Sequence, residues 1–326
     1  MMYTFPNKLR NLAIAFMVIG FLGLAYGFIN APKTIEEAKA MVASSHGEGH
    51  GESHDETTTT NHGEEDTHAV SESHDTSLVD GHVSSSHQKI HEISHDEHLF
   101  HQLSNKPWAA FYVAAFFFFM ISLGVLAFYA IQRAAQAGWS PVLYRVMEGI
   151  TAYLFPGGIV IIVILALSGM HLNHLFIWMD PEVVAHDELI AGKTGYLNVP
   201  FFLVRAVLFL LGWTIYRYFS RKFSLAQDQS DNISNHKKNF RISAAFLVFF
   251  IYSESVMSWD WIMSIDPHWF STLFGWYVFA SMIVSGVTTI ALITIYLKSQ
   301  GYLEFVNDSH IHDLGKFMFG FSVFWT

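Results

Sequence analysis

Residues 270–297 read FSTLFGWYVFASMIVSGVTTIALITIYL, twenty-eight positions without one charged side chain. A helix rises about 1.5 Å per residue and the hydrocarbon core of a bilayer is about 30 Å thick, so roughly 20 such residues cross it. A soluble helix of that length would carry a polar face repeating every three or four residues, and this stretch has none. Working outward, five more stretches reach lipid length: Leu9 to Ile29, Trp108 to Ile131, Val146 to Met170, Val199 to Phe219 and Ile242 to Met263. A seventh apolar run starts near Leu314 and meets Thr326 after about 13 residues, too few to cross, so the chain reads as a fragment. The expected fold is all-α, a polytopic membrane helix bundle of six full transmembrane helices plus the start of a seventh.

Composition supports that reading. Over 326 residues, 52% are hydrophobic and only 14% are charged, a membrane balance. Cysteine is absent, which removes disulfides, thiolate-held iron–sulfur clusters, covalent haem attachment and cysteine lipidation. The net charge of −10 comes mainly from one acidic segment, and nothing favours nucleic-acid binding.

Lysine and arginine fall on alternate connections: Lys8 and Arg10; Arg133 and Arg145; Arg217, Arg221, Lys222, Lys237, Lys238 and Arg241; Lys298 and Lys316. By the positive-inside rule the amino terminus is cytoplasmic, and residues 31–106, residues 171–198 and the turn from Ser264 to Trp269 lie outside. The first apolar run follows Lys8 and Arg10 as a signal peptide would. It is long and lacks a clean small-residue cleavage pattern, so a retained helix is expected.

Three regions result: an N-terminal transmembrane helix (1–30), an acidic linker (31–106) and a helical bundle (107–326). The linker holds 12 of the 19 histidines and few large apolar residues before Leu99, so a largely disordered periplasmic segment is expected. Its HGEGHGESHDE run (46–56) also offers imidazole and carboxylate ligands, as the outer loop of a metal-ion transporter would. No ligand spacing repeats, however, and a structural zinc site needs defined geometry.

Ionisable groups at lipid depth are costly and so mark function. Glu148 follows Arg145 by three residues, a spacing for an ion pair or a point of proton entry. Arg205 lies about two turns into its helix, where it snorkels or pairs with a carboxylate. Glu254, in Tyr-Ser-Glu-Ser, is either satisfied by Ser253 or Ser255 or serves as a protonatable relay. His171 and His174, three apart, are read as sharing a helix face, as an interfacial pair or a quinone-headgroup or proton-exit site. That spacing does not suit haem ligation. The densest constellation is Ser258 to Ser271, where Asp260, Asp266 and His268 stand among three tryptophans. Tryptophan belongs at membrane interfaces, but two carboxylates and an imidazole beside it suggest a path for protons or quinol. Pro267 should force Asp266 out of the helical region and fix a corner.

Trp259 to Phe279 (WDWIMSIDPHWFSTLFGWYVF) resembles the corresponding stretch of alternative complex III membrane subunits of the polysulfide-reductase (NrfD-like) type. Ile311 to Lys316 and Phe321 to Trp325 look like that family's next helix entry. The resemblance covers most of residues 108–326, is specific around Asp266-Pro267-His268-Trp269, and excludes the histidine-rich linker. It implies a fold of about ten helices in two four-helix bundles, of which this chain holds the first. The implied function is that of a cofactor-free subunit in a bacterial inner-membrane quinol:cytochrome c (or other acceptor) oxidoreductase that binds quinol or menaquinol or conducts protons. The implied partners are an iron–sulfur protein, a multihaem cytochrome c, a second subunit of the same type and small membrane subunits. A metal-ion transporter and a scaffold without substrate contact remain the alternatives.

Overall fold

In lipid, every backbone N–H and C=O must find its partner within the protein, and a continuous helix achieves this along its whole length. The computed structural model describes residues 6–47 and 80–326, and among them there are helices and turns but no strands. Six segments are long and apolar enough to cross a membrane: Asn7–Ile29, Leu99–Ala134, Ser140–Gly169, Val199–Gln227, Ser234–Ile265 and Phe274–Ser299. The protein is therefore an all-α, multi-pass membrane helix bundle. It divides after Pro107 into two units, 1–107 and 108–326.

In the first unit, helix α1 (Asn7–Ile29) has no buried residue and is apolar on every side. Helix α2 (Ile35–Gly47) opens with Glu36 and Glu37, which suit the positive end of the helix dipole, and the Thr34 hydroxyl accepts from the Glu37 amide. Helix α3 (Asp80–Ala134) runs on into the second unit. Of the segment read as a linker, residues 35–47 and 80–106 are helical, and residues 48–79 lie outside the described residues. Ala38, Ala40 and Met41 are strong helix formers, and a helix already nucleated by an apolar span extends at little cost per residue. Lys39 forms an ion pair with Asp96. Most of the HGEGHGESHDE run lies outside the described residues.

The second unit contains the core. After α3 come helices α4 (Tyr144–Ile150), α5 (Leu154–Gly169), α6 (Pro181–His186), α7 (Glu188–Ala191), α8 (Val199–Gln227), α9 (Ser234–Trp261), α10 (Phe274–Ser299) and α11 (Asp308–Trp325). The third span is not the single regular helix the sequence suggests, because a 3-10 turn at Thr151–Tyr153 separates α4 from α5. Pro156 explains the break: it has no N–H to return to residue 152, and its ring crowds that carbonyl. Helix α8 begins on an Asn198 side chain that accepts from the Phe201 amide, and α11 begins with a reciprocal cap between Asn307 and His310.

Aromatic and aliphatic side chains fill the centre, with Phe119, Leu123, Trp213, Phe250, Trp261 and Ile283 almost wholly buried. Where α3 crosses α10 the backbones nearly touch. A Cβ added to Gly124 would lie 2.3 Å from the Met282 carbonyl oxygen, and one at Gly286 would lie 3.0 Å from the Val125 nitrogen. Small residues at such crossings let helices gain dispersion contacts that lipid does not supply. Replacing Gly124 with Val should therefore lower stability by about 1–3 kcal/mol, the usual cost of overpacking. Thermal unfolding in detergent measures this, and an unchanged midpoint would contradict the crossing.

Candidate functional site

Helices α8 and α9 face each other through a row of polar contacts. At the end carrying connections 170–198 and 262–273, the Arg205 guanidinium grips Asp260 in a fork: Nε to Oδ2 at 2.6 Å and Nη2 to Oδ1 at 3.0 Å. The Tyr196 hydroxyl donates to Asp260 Oδ1 at 2.9 Å, and Arg205 also donates to the Tyr196 carbonyl. The guanidinium carbon sits 4.0 Å from the Tyr196 ring centroid and 4.2 Å from that of Phe201. Asp260 is 0% exposed. A buried ion pair survives only when its geometry is good and its remaining valences are met, and here both conditions hold. The phenol of Tyr196, outside the spans, is held protonated well above its usual range, first by burial and then by the charge of Asp260.

Beside this pair lies a cavity of about 540 Å³ whose walls include Lys193, Tyr196, Trp259, Met263, Trp269 and Phe270. The Trp259 Nε1 is buried and has no hydrogen-bond partner. Two ties join the walls of the cavity: Lys193 donates to the Pro267 carbonyl, and His268 Nε2 lies 2.6 Å from Asp187 Oδ2. Asp266 has the extended backbone that Pro267 demands, with φ −116° and ψ 93°. Its side chain is 69% exposed and that of His268 50%, so both sit at the surface corner rather than inside the bundle.

Midway along the pair of helices, Trp213 donates to the Ser253 hydroxyl at 2.9 Å. The next residue, Glu254, is 3% exposed. Its Oε2 lies 3.5 Å from the Ser255 hydroxyl, which already donates to the Ile251 carbonyl, and its Oε1 has no partner.

The other end is a second charged cluster. Tyr216 meets Ser243 at 2.8 Å, and Ser220 donates to Asn239 at 2.6 Å. Arg133 of α3 donates to the Tyr129 oxygen at 3.1 Å and to Ser224 at 2.8 Å, while Tyr129 donates to Glu148 at 3.0 Å. Arg145 bridges Glu148 and Asp228. Glu148 thus forms the ion pair its spacing suggests, and the buried Arg133, 4.0 Å away, adds a second cation.

One placement is corrected. His171 and His174 do not share a helix face, because α5 ends at Gly169 and His171 adopts a left-handed conformation with φ 58°. The Leu172 amide returns to the Leu167 carbonyl, a closing turn that redirects the chain before His174. His171 is exposed and His174 half-buried.

Sequence reasoning missed Tyr196, Asp187, Tyr129 and the burial of Arg133. Tyr129 and Arg133 are one turn apart, a spacing that signals a shared face, but a lone arginine near a helix end reads equally well as an interfacial cation. Among the described residues, no group of three or more His, Asp or Glu side chains converges as a metal site. No family model and no curated protein matches this chain. The fold and the site together define, among the described residues, a polytopic helical membrane protein with ion-paired ends and, between them, the buried Glu254 carboxyl group with one oxygen unpartnered.

Two outcomes follow from the geometry. Arg205→Leu leaves the Asp260 carboxylate buried and alone, and should cost about 3–5 kcal/mol of stability in detergent. The double variant Arg205→Leu with Asp260→Leu should recover most of that loss in the same thermal unfolding measurement. At the surface, Asp187 is held below the usual carboxylate range by the Ile190 amide, with help from His268. Its support of the α7 cap is complete above the ordinary aspartate range and is lost as pH falls through the depressed folded value. Limited proteolysis of residues 186–195 should accelerate only in that acid window, and Asp187→Ala, which removes the capping oxygen, should show the fast rate at neutral pH.

Proposed function

We propose that the chain is a cofactor-free integral subunit of a bacterial respiratory quinol:cytochrome c (or other acceptor) oxidoreductase of the alternative complex III kind, in which it handles protons beside a quinone-facing cavity. The observation that carries this reading is Glu254. A carboxyl group at lipid depth with an unpartnered oxygen is expensive, and such a group persists where a proton must be held and passed on. A scaffold accounts for Arg205 and Glu148, which are paired, but gives no reason for Glu254. A metal-ion transporter would hold its ion near mid-membrane between helices, where the described residues offer no converging ligand set.

With the lysine- and arginine-rich connections in the cytoplasm, the Arg205–Asp260 end faces the periplasm. A quinol or menaquinol ring needs an apolar slot, a donor to its oxygen and an acceptor for its proton. Trp269, Phe270 and the Trp259 side chain line the slot, and the Tyr196–Asp260 pair leads inward. Glu254 lies six residues from Asp260, about 9 Å along α9, and eleven from Ser243, about 16 Å. Protons cross such gaps on water. The partners proposed are those the resemblance implies: an iron–sulfur protein, a multihaem cytochrome c, a second subunit of this type and small membrane subunits.

The test is Glu254→Gln, which keeps the shape and removes the titratable proton. In the purified complex reconstituted into liposomes, proton movement per quinol oxidised should fall at least tenfold with subunit content unchanged, while Glu254→Asp retains an intermediate value. Wild-type proton movement in Glu254→Gln would end the relay assignment. Failure of a tagged chain to copurify with haem-bearing and iron–sulfur partners from its native membrane would end the assignment to such a complex.

A further inference from the structure

On the outward face of α8, an apolar groove of about 620 Å³ runs along Leu203, Val207, Leu208, Leu211 and Ile215, with Phe249 of α9 as its far wall. Its depth depends on Gly212. A Cβ there would lie 2.5 Å from the Phe249 ring, so any larger residue would push that ring out of its place. From Leu203 to Ile215 is twelve residues, about 18 Å of helix, close to the roughly 15 Å of a single leaflet's hydrocarbon.

At 100° per residue, Lys222 lies on the same stripe of α8 as Val204, Leu211 and Ile215, about 10 Å beyond the groove's last residue. On α9 the same reckoning places Lys238 in line with Phe249 through Ile242 and Ala245. The Lys238 ammonium lies 5.9 Å from the ring centroid of Phe223 on α8, so it leans across the end of the groove toward Lys222's helix. Both lysines are exposed, as are Arg221 and Arg241 beside them. The bundle's ion pairs use Arg133, Arg145, Arg205, His268, Lys298 and Lys316; among the described residues none engages Arg221, Lys222, Lys237, Lys238 or Arg241. Arg217 and Arg221, one turn apart, repel each other as well. An uncompensated cation cluster at the mouth of a groove one leaflet long calls for a ligand with an anionic head and an apolar tail.

We propose that the α8–α9 face is a binding site for one anionic phospholipid, its acyl chain in the Leu203–Ile215/Phe249 groove and its phosphate between Lys222 and Lys238. The Lys222 stripe lies roughly opposite Trp213 and Ser220 on α8 and about 100° from Arg205, and the site does not depend on the quinol reading. Charge selects the headgroup, since each basic residue near an anionic surface contributes about 1 kcal/mol. The apolar wall holds the tail and sets the orientation.

The test compares retained lipid by native mass spectrometry after the full chain is extracted from nanodiscs containing equal amounts of phosphatidylglycerol and phosphatidylcholine. The wild type should retain one phosphatidylglycerol in preference to phosphatidylcholine. In Lys222→Gln/Lys238→Gln that preference should fall about thirtyfold, the equivalent of about 2 kcal/mol. The control Lys237→Gln/Arg241→Gln removes the same charge off the groove line and should keep the preference. Val204→Trp/Leu211→Trp, at exposed positions, fills the groove with every charge intact and should abolish retention. Equal losses in the control pair, or undiminished retention in either groove variant, would overturn the site.

Discussion

A charge placed among lipid-length helices must be met there, and the fork between Arg205 and Asp260 is where this chain meets that demand most completely. Both side chains are buried, both carboxylate oxygens are engaged, and the guanidinium is covered by two aromatic rings. The contact fixes α8 against α9. Trp213 then reaches Ser253, Tyr216 reaches Ser243 and Ser220 reaches Asn239, each a modest bond that gains strength from surroundings without water to compete. Tyr112 of α3 donates to the Trp261 carbonyl, a group that the end of α9 leaves without a helical partner.

The two ends of the bundle solve the same electrostatic problem differently. At one end a single arginine and a single aspartate neutralise each other beside a cavity. At the other, Glu148 lies between Arg145 and Arg133, and a chain of hydroxyl and amide groups spreads the charge over four helices. Between them the facing surfaces are aromatic, with Tyr216 stacked on Phe246 at 3.8 Å. Glu254 interrupts that apolar stretch, and the contrast with the paired ends gives it weight.

How much of this was legible depended on the scale of the signal. Lipid-length runs identify themselves, because nothing in a soluble core produces twenty-eight uncharged residues in a row, and the six spans recur in the structure. Asp266-Pro267 announced its corner through a local steric rule. The partner of Arg205 was not readable: Asp260 is 55 positions away, and only the packing of α8 on α9 joins them. The break at Thr151 could have been inferred from Pro156, but the hydrophobicity that marks a span continues straight through it. The histidines misled because sequence distance was converted to helical angle past the point where the helix had ended. The helix formers in 35–47 were outvoted by the polar composition around them, a judgement made over too wide a window.

The aromatic packing also gives the molecule an optical property. Trp213 and Trp261 are both fully buried with ring centroids 6.1 Å apart and planes at 76°, and the first is hydrogen-bonded to the residue preceding Glu254. Indoles held so near and so rigidly should couple their electronic transitions and contribute a circular dichroism signal that falls when α8 and α9 lose their register. The native chromophores thus act as an internal gauge of the helix pair, without any label.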